Sequence, residues 1–394
     1  MPSVDPSRLL PKQQTAVIAK GPGQLAIEHN VPVPVLAPDM AMVKTAAVAI
    51  NPVDAKILDY SAAPGAIHGY DFAGVVVALG EDAQVLGNLA VGDRVAGLVH
   101  GMNKLRPEVG AFAEYVGAYA DLLLKIPDSM SFEEAASFGL GVATASLSLF
   151  HEMRVPAPFG PFHARSEQLA VQGNRGNAEF VLVSGGNTAT GTRALQLLKL
   201  YVVTTAFCVS LLQLLTISSA GLRPIATCSS SSFELAMRFG AEKVFDYRSP
   251  SCAEDIRAYT NNELAYTLDC VSQVDTTQLC YASIGRAGGR YVSLEPFREA
   301  ISQTRSLTVE ASWVMALTIF GHKVALDGEY GRDARPEDRV FGAQAFKAVQ
   351  GFLDRGVFGA HPVKALPGGW KGVVEGVDII RSQAMSGQKL VYSV

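Results

Sequence analysis

The chain has 394 residues, of which 48% are apolar and 18% are charged, and its formal net charge is −4 at pH 7. This length and composition allow two packed domains and exclude global disorder, because enough apolar surface is available to bury a sizeable core. The weak negative charge provides no basic surface for nucleic acid or an anionic membrane.

The amino-terminal segment and the cysteines indicate a cytoplasmic protein. MPSVDPSRLLPKQQTAV is polar and lacks the apolar core of a secretory signal. The cysteines are odd in number and form no C-x-x-C pair, which argues against a disulfide framework. They are Cys208, Cys228, Cys252, Cys270 and Cys280.

The first 150 residues contain short apolar runs separated by Gly, Pro and Asp, which predicts a β-rich region. Examples are MVKTAAVAI, FAGVVVALG and DRVAGLV. At SFEEAASFGLGVATASLSLF (131–150) the pattern becomes helical, with Ser131 and Glu134 placed for a capping box. Residues 151–178 are rich in Pro, Gly and charge, so we expect them to form a connection.

From Glu179 onward, apolar strands alternate with helices. The predicted strands are EFVLVSGG, RPIATCS, KVFDYR, LAYTLDCVS and GGRYVSLEP, with helices at NTATGTRALQLLKL and FELAMRFGA. This alternation predicts a doubly wound parallel sheet. Two further helices, FGAQAFKAVQGFLDRG and WKGVVEGVDIIRSQAMSG, precede a last strand, KLVYSV.

The junction VLVSGGNTATGT (181–192) has the features of a dinucleotide-binding turn. A strand that runs into glycines and then a helix lets backbone N–H groups approach a pyrophosphate. The glycines Gly185, Gly186 and Gly191 do not have the strict G-x-G-x-x-G spacing, so an ordinary strand–turn–helix is the alternative.

The end of the second strand predicts which cofactor is bound. NAD sites usually carry Asp or Glu there, to bind the ribose 2′-hydroxyl. This chain has ATCSSSSFE instead, and the hydroxyls of Ser229–Ser232 tolerate the 2′-phosphate of NADPH. Tyr247 and Arg248, after the third strand, can add contacts. A polar helix N-cap is the alternative interpretation of the serines.

Neither a metal site nor a nucleophile is predicted. The first half of the chain has no cysteine, and its histidines, like His163 in the connection, are not paired at a useful spacing. No G-x-S-x-G elbow is present. We interpret Asp71, in HGYDFAG, as a structural acid in a turn rather than a general base.

Several motifs together resemble the medium-chain dehydrogenases/reductases of the quinone-oxidoreductase kind. They are AVAINPVDAKI (47–57), IHGYDFAGVVVALG (67–80), VGDRVAGL (91–98) and GAFAEYV (110–116). The resemblance implies a Rossmann domain (151–319) and a β-rich GroES-like catalytic domain (1–150 with 320–394). Zinc-dependent members have a cysteine near Asn51–Asp54 and a His–Glu pair where this chain has Tyr70–Asp71, so the zinc-free branch is indicated.

A closer resemblance is to fungal trans-acting enoyl reductases, which serve iterative polyketide synthases. It rests on GGNTAT (185–190), PIATCS (224–229), GAEKVFDYR (240–248), LDC (268–270), IGRAGGRYVSL (284–294), TIFG (318–321) and SGQKLV (386–391). Such enzymes reduce the α,β-double bond of an acyl thioester held on a carrier domain, here of a polyketide synthase or a synthase–peptide synthetase hybrid.

The resemblance also implies site residues. NADPH contacts are implied at Val53, Asp54, Ala55, Lys56, Asn187, Thr188, Ala189, Thr190, Ser229, Ser230, Ser231, Ser232, Tyr247, Leu294, Glu295, Met385 and Ser386. The acyl channel is implied at Ala145, Ser146, Leu147, Ser148, Leu149, Phe150, His151, Glu152, Ala316, Leu317, Thr318, Ile319 and Phe320.

Lys56 and Thr144 are the candidate catalytic residues. The Lys56 ammonium would orient the cofactor and stabilise the enolate that forms as hydride adds to the β-carbon. The alternative is a solvated lysine at a strand edge. Thr144 would offer a hydroxyl near the same place. No side chain emerges as the proton donor, so water or the surroundings of the carrier-bound substrate would supply the proton.

Residues 201–219 (YVVTTAFCVSLLQLLTISS) depart from the family pattern, which passes almost directly from helix to second strand. Three explanations are open: a membrane span, a lengthened helix, or a retained intron. We favour the intron, because the family sequence is continuous once about nineteen residues are removed, and because a span would divide one nucleotide-binding domain.

Three functions remain to be distinguished. The first is NADPH-dependent enoyl reduction on a carrier-bound polyketide by a monomeric enzyme. The second is a free-standing quinone or enone reductase, and the third is a non-catalytic NADPH-binding scaffold.

Overall fold

The computed structural model describes residues 10–155, 179–207, 222–382 and 387–394, with only the backbone described for 201–207. The chain divides into two compact units. The first consists of Met1–Ala143 and Leu317–Val394, and the second of Thr144–Ala316.

The described residues contain fifteen strands. In chain order they are β1 (Gln13–Gly21), β2 (Gln24–Pro32), β3 (Met40–Ala49), β4 (Asp71–Leu79), β5 (Arg94–Leu98), β6 (Tyr115–Tyr119), β7 (Leu123–Lys125), β8 (Phe180–Ser184), β9 (Arg223–Cys228), β10 (Lys243–Asp246), β11 (Tyr266–Asp269), β12 (Gly289–Ser293), β13 (Val309–Trp313), β14 (Val363–Leu366) and β15 (Lys389–Ser393).

The α-helices of the described residues are α1 (Pro52–Tyr60), α2 (Ala83–Gly87), α3 (Phe132–Ala135), α4 (Gly139–Ser146), α5 (Ala189–Phe207), α6 (Phe233–Arg238), α7 (Cys252–Tyr259), α8 (Val274–Ser283), α9 (Glu299–Ser302), α10 (Pro336–Asp354) and α11 (Gly369–Arg381). A π-helical segment, Leu147–Glu152, follows α4.

The first unit is built on a seven-stranded sheet with the order β14-β15-β3-β4-β5-β7, in which β6 also pairs with β3. The strands β1 and β2 form a separate antiparallel hairpin. Small side chains form one core of the sheet, among them Ala47, Ala73 and Val391, and α3 packs on this layer. The carboxyl-terminal strand β15 pairs with β3, so the end of the chain completes a sheet begun near its start.

The second unit is a six-stranded parallel sheet with the order β10-β9-β8-β11-β12-β13. Numbered from its first strand, this is the 3-2-1-4-5-6 order of a Rossmann sheet. The five strands predicted after Glu179 are present, and the sixth, β13, was not predicted. The predicted fold class is confirmed.

Local signals account for most helix boundaries. The predicted capping box is confirmed, since Ser131 and Glu134 cap α3 reciprocally. The predicted single helix over 131–150 is wrong, however, because α3 ends at Ala135 and α4 starts at Gly139. Helix α1 was missed, although Asn51 caps it, Pro52 occupies its first turn and Asp54 completes a capping box.

Helix α5 continues seven residues beyond the predicted end at Leu200. The run after Leu200 has no Gly or Pro to end a helix. The rest of the anomalous 201–219 segment lies outside the described residues. Among the described residues, no helix is long and apolar enough to cross a membrane.

Candidate functional site

The carboxyl ends of the parallel strands bring most of the predicted cofactor residues of the second unit to one edge of its sheet. The glycine turn, which we define as Gly185–Gly191, follows β8, and the serine segment, Ser229–Ser232, follows β9. Tyr247 follows β10, and Leu294 and Glu295 follow β12. The strand order reverses between β8 and β11. Ligands of open α/β sheets bind at this topological switch point, outside the carboxyl ends of the strands.

The glycine turn is tightly packed at the switch point. Gly185 has φ +79°, and a Cβ added there would lie 2.7 Å from Cγ2 of Val271 in the loop after β11. A Cβ on Gly191 would collide with the carbonyl oxygen of Gly185. The two glycines therefore allow the start of α5 to sit directly on the turn.

A nicotinamide dinucleotide is the cofactor implied by this fold, and the residues at the turn fit its pyrophosphate. Ala189 and Thr190 lie in the first turn of α5, where backbone N–H groups have no acceptor within the helix. Thr188 stabilises the turn, because its hydroxyl donates to the Gly185 carbonyl at 2.8 Å and accepts from the Gly191 N–H at 3.0 Å. The positive end of the helix dipole favours an anion here.

The serine segment and the glycine turn are joined. Asn187 Nδ2 donates to Ser232 Oγ at 3.3 Å, and the N–H groups of Gly185 and Gly186 both donate to the Thr227 carbonyl at 3.0 Å. Ser229 Oγ lies 3.1 Å from Ser231 Oγ. The predicted pyrophosphate and ribose positions therefore share one edge of the second unit.

Strand β9 itself ends without an acidic side chain, and the nearest carboxylate in the sheet register is Asp246 of β10, opposite Cys228. The last residue of β9 is Cys228, whose thiol is buried and has its pKa raised to about 11, chiefly by burial. Ser229–Ser232 follow with hydroxyls at least partly exposed, and Tyr247 nearby is 45% exposed. The Arg248 guanidinium lies over the Tyr247 ring at 5.3 Å.

Asp269 shapes the loop between β11 and α8, and sequence reasoning missed this role. Its carboxylate accepts from the N–H groups of Val271 and Ser272 at 3.0 and 2.9 Å. The Ser272 hydroxyl in turn accepts from the N–H of Leu294, a predicted cofactor residue. The loop that faces the glycine turn is thereby tied to the loop after β12.

In the first unit, α1 carries the predicted cofactor segment Val53–Lys56. Lys56 is exposed and Val53 is partly exposed, whereas Asp54 and Ala55 are buried. Because Lys56 lies in helix α1, the alternative interpretation of Lys56 as a solvated lysine at a strand edge is wrong. The Asp54 side chain is fully buried, so it is not exposed to make the predicted contact with the cofactor.

A buried polar network surrounds the start of α1. The Asn51 N–H donates to Asp54 Oδ2 at 2.6 Å, and Asn51 Nδ2 donates to Asp71 Oδ2 at 3.0 Å. Lys389 Nζ donates to Asn51 Oδ1 and, at 3.1 Å, to Asp71 Oδ2. The predicted placement of Asp71 in a turn is wrong, because Asp71 begins strand β4.

This network does not fit the zinc of zinc-dependent relatives. The resemblance aligns Asn51–Asp54 and Tyr70–Asp71 with their zinc ligands, yet here the Lys389 ammonium already bonds the Asp71 carboxylate. A cation in that position repels a metal ion. Within the described ranges, no group of three or more His, Cys, Asp or Glu side chains is placed to hold a metal.

The predicted acyl-channel residues of the second unit begin in α4 and continue through the π-helical segment. Thr144 is 8% exposed, and residues 145–150 are buried. Ser146 Oγ and Ser148 Oγ are buried with no hydrogen-bond partner among the described residues. His151 and Glu152 are partly exposed, with 3.6 Å between Nδ1 and Oε1. π-Helical turns are often found at functional sites.

Residues Ala316–Phe320 form a 3₁₀ turn that is mostly buried. In the first unit, the Phe320 ring stacks on His100 at 6.1 Å and also contacts Tyr119. Burial lowers the pKa of His100 to about 4, so this imidazole is neutral at pH 7. Met385 and Ser386, the last two predicted cofactor residues, lie outside the described residues.

Comparisons with known proteins agree with this architecture. The alcohol dehydrogenase GroES-like domain matches residues 37–128. The trans-enoyl reductase caaB of Aspergillus niger is 61% identical over the full length of both chains. The trans-enoyl reductase traG of Penicillium crustosum is 58% identical, again over both full lengths. Trans-enoyl reductase thnE of Trichoderma harzianum is 58% identical over 98% of this chain and 97% of its own.

Solved structures show the same fold at lower identity. A putative zinc-dependent alcohol dehydrogenase from Rhizobium etli superposes with a TM-score of 0.72 at 21% identity, over 97% of this chain and 98% of its own. The CurK enoyl reductase superposes with a TM-score of 0.68 at 19% identity, over 97% of this chain and 99% of its own.

Proposed function

Since this chain belongs to the trans-enoyl reductases of the medium-chain dehydrogenase/reductase family, we propose that it reduces the α,β-double bond of a carrier-bound polyketide thioester with NADPH. The observation that carries the proposal is the edge of the Rossmann sheet, where the glycine turn, the start of α5 and the serines meet. Relatives named trans-enoyl reductases support the reaction class.

The serine segment supports NADPH as the cofactor. Ser229 occupies the position after β9 where an acid would bind the 2′-hydroxyl of NADH and repel a 2′-phosphate. The serine hydroxyls and the exposed Tyr247 and Arg248 supply hydrogen-bond donors for a phosphate. When bound, NADPH supplies the hydride.

Lys56 and Thr144 act on the substrate. As hydride adds to the β-carbon, the electron pair of the double bond moves to the α-carbon and the thioester carbonyl oxygen. The Lys56 ammonium stabilises the negative charge on that oxygen. The Thr144 hydroxyl acts as a hydrogen-bond donor to the substrate, and water delivers the proton to the α-carbon. The rest of the catalysis is positioning.

The residues assigned to the acyl channel, 145–152 and 316–320, are mostly apolar. Their apolar character suits a growing acyl chain, and the partner is the carrier domain of an iterative polyketide synthase or a synthase–peptide synthetase hybrid. The enzyme acts as a monomer in the cytoplasm, with residues 1–150 and 320–394 as the catalytic domain and 151–319 as the NADPH domain.

A substrate comparison tests the proposal. Purified protein is assayed with NADPH against a short enoyl thioester and against a simple quinone, and the thioester is expected to give the larger kcat/KM. A strong preference for the quinone would favour a free-standing quinone reductase. NADPH binding without turnover of any thioester, enone or quinone would favour a non-catalytic scaffold.

Lys56→Met tests the catalytic assignment. We expect kcat to fall about 100-fold, as for removal of one group that stabilises an oxyanion, with the Kd of NADPH changed less than about threefold. Lys44→Met is the matched control, because Lys44 is an exposed lysine on β3 of the same unit. Equal activity of the two variants would remove Lys56 from the mechanism.

A further inference from the structure

Asp71 is a fully buried carboxylate whose two oxygens have different partners. Oδ1 accepts from the Leu140 N–H at 2.6 Å. Oδ2 accepts from Asn51 Nδ2 at 3.0 Å and from Lys389 Nζ at 3.1 Å. Both ends of one carboxylate are therefore used, and by different segments of the chain.

Those partners lie at the starts of two helices. Asn51 is the N-cap of α1, and Leu140 lies in the first turn of α4. Packing around the carboxylate is close, because a Cβ added at Gly139 would lie 2.8 Å from Asp71 Oδ1. Helix α1 carries Lys56 on its exposed side, and α4 carries Thr144 near its end.

Lys389 gives the buried carboxylate a hydrogen-bonded basic partner. The lysine is only 6% exposed, and its ammonium donates to both Asp71 and Asn51. A buried carboxylate without such a partner would be strongly destabilising. Lys389 also begins β15, so the carboxyl-terminal strand is tied to the start of α1.

We propose that Asp71 is a positioning residue of the reductase site: its two carboxylate oxygens hold the first turns of α1 and α4 and so set the positions of Lys56 and Thr144. Lys389 and Asn51 hold the carboxylate itself. The inference rests on the proposed function, in which Lys56 and Thr144 act on the thioester.

The substitution Asp71→Asn tests this role. An amide has one acceptor oxygen where a carboxylate has two. It can therefore satisfy the Leu140 N–H or the Asn51 and Lys389 donors, but not both groups. We expect kcat with an enoyl thioester to fall about 10- to 100-fold, with KM changed less than about twofold, since a misplacement on the order of 1 Å has a cost of that size.

A second readout does not depend on activity. Amide hydrogen exchange over residues 51–58 and 139–146 is measured by mass spectrometry, and we expect Asp71→Asn to speed exchange in at least one of these segments. Asp93→Asn is the matched control. Asp93 pairs with Lys125 at 2.9 Å in the same unit and contacts neither helix start, so kcat and exchange in both segments should stay at wild-type values.

A comparison of Asp71→Asn in two backgrounds distinguishes a positioning role from a general loss of structure. In a Lys56→Met/Thr144→Val background, Asp71→Asn should lower kcat much less than it does in the wild type, because the residues through which it acts are gone. An equal loss in both backgrounds would overturn the positioning role. If Asp71→Asn fails to fold, Asp71→Asn/Lys389→Met removes both charges and leaves no unpaired buried ion.

The outcomes also separate this inference from the proposed function. Wild-type protein inactive on every thioester would overturn the function and, with it, the catalytic part of the inference. Unchanged exchange in both segments of an Asp71→Asn variant would overturn the anchoring alone, even where the wild type is active.

Discussion

Asp54 and His68 are fully buried in the first unit, and neither keeps its ordinary pKa. Burial raises the pKa of Asp54 to about 8, against the hydrogen bond from Asn51 and the charge of Lys389. Burial lowers the pKa of His68 to about 3. His68 Nε2 lies 3.7 Å from Asp54 Oδ1. Both side chains are therefore mainly neutral at pH 7.

Asp54→Asn should flatten the pH dependence of stability. Because the pKa of Asp54 is near 3.9 unfolded and about 8 folded, the folded state binds the extra proton between these values. The stabilisation by the neutral carboxyl is thus complete below about pH 4 and is lost as pH rises to about 8. The amide keeps an acceptor for the Asn51 N–H without titrating.

Urea denaturation at pH 5.5 and pH 8.5 measures this effect. The free energy of unfolding of the wild type should fall by at least about 1 kcal/mol more than that of Asp54→Asn over this interval. Parallel pH profiles for the two proteins would show that Asp54 titrates normally in the folded state.

Ser229→Asp should shift the cofactor preference from NADPH toward NADH. A carboxylate at the end of β9 would repel a 2′-phosphate and accept from a 2′-hydroxyl, so the Kd of NADPH should rise more than about tenfold while that of NADH changes little. Fluorescence titration measures both. Ser306→Asp is the control, because Ser306 is an exposed serine before the amino end of β13. Equal effects of the two substitutions would argue against a 2′-phosphate site at Ser229.

Some residues of the site were predictable from the sequence and others were not, and the difference is the distance along the chain between contacting residues. The serines follow a strand within one local pattern, so their common edge with the glycine turn was predictable. The Asn51–Asp71–Lys389 network was not, since Lys389 is 318 residues from Asp71 and 338 from Asn51 along the chain. Neither a motif nor a period relates residues at such separations.

At the level of secondary-structure elements, the turn between β8 and α5 depends on one glycine conformation. Gly185→Ala would place a Cβ at φ +79° and 2.7 Å from Val271 Cγ2. We expect a loss of about 1–3 kcal/mol in the free energy of unfolding and weaker NADPH binding, because the turn must distort. Chemical denaturation and cofactor titration measure the two effects.

Gly351→Ala is the matched control for that substitution. Gly351 lies inside α10, and a Cβ there meets nothing within 4 Å. Alanine should therefore stabilise the protein by about 0.5–1 kcal/mol through its higher helix propensity. Destabilisation by both substitutions to a similar extent would mean that the turn at Gly185 has no special requirement.

Element types were more predictable than element limits. The strand runs of the second unit are apolar and bounded by Gly, Ser and Asp, and each of the five predicted strands is present. Helix α1 was missed because its neighbours are strands, although Asn51, Pro52 and Asp54 are a standard N-terminal signal. Likewise, the π-helical segment after α4 has no sequence signature distinct from that of an α-helix.

At the level of the whole molecule, the first unit is formed from both ends of the chain. Strand β15 pairs with β3, and α11 contacts α1, β1, β2 and β15. The second unit is inserted between these parts, at Thr144–Ala316. Composition alone allowed two domains, but only the family resemblance implied that the catalytic one is discontinuous. Local sequence patterns cannot predict that a carboxyl-terminal strand pairs with a strand near the start of the chain.

The crossover between β8 and β9 bears on the anomalous segment 201–219. A strand of five or six residues is about 17–20 Å long, and a helix of 12 residues, such as 189–200, is about 18 Å long. Residues 189–200 are therefore long enough to return the chain along these strands. Helix α5 as described has 19 residues and exceeds that need.

Deleting residues 201–219 should consequently leave a folded and active enzyme. We expect the shortened protein to bind NADPH with a Kd within about threefold of that of close relatives and to be more soluble than the full chain, since the deleted run is apolar and uncharged, and such a run favours aggregation wherever it is exposed. Cofactor titration, thermal unfolding and the yield of soluble protein measure these properties. Sequencing of the mature transcript gives the independent test: a message that contains the segment, together with loss of folding on deletion, would contradict the retained intron and make the segment an integral extension of α5.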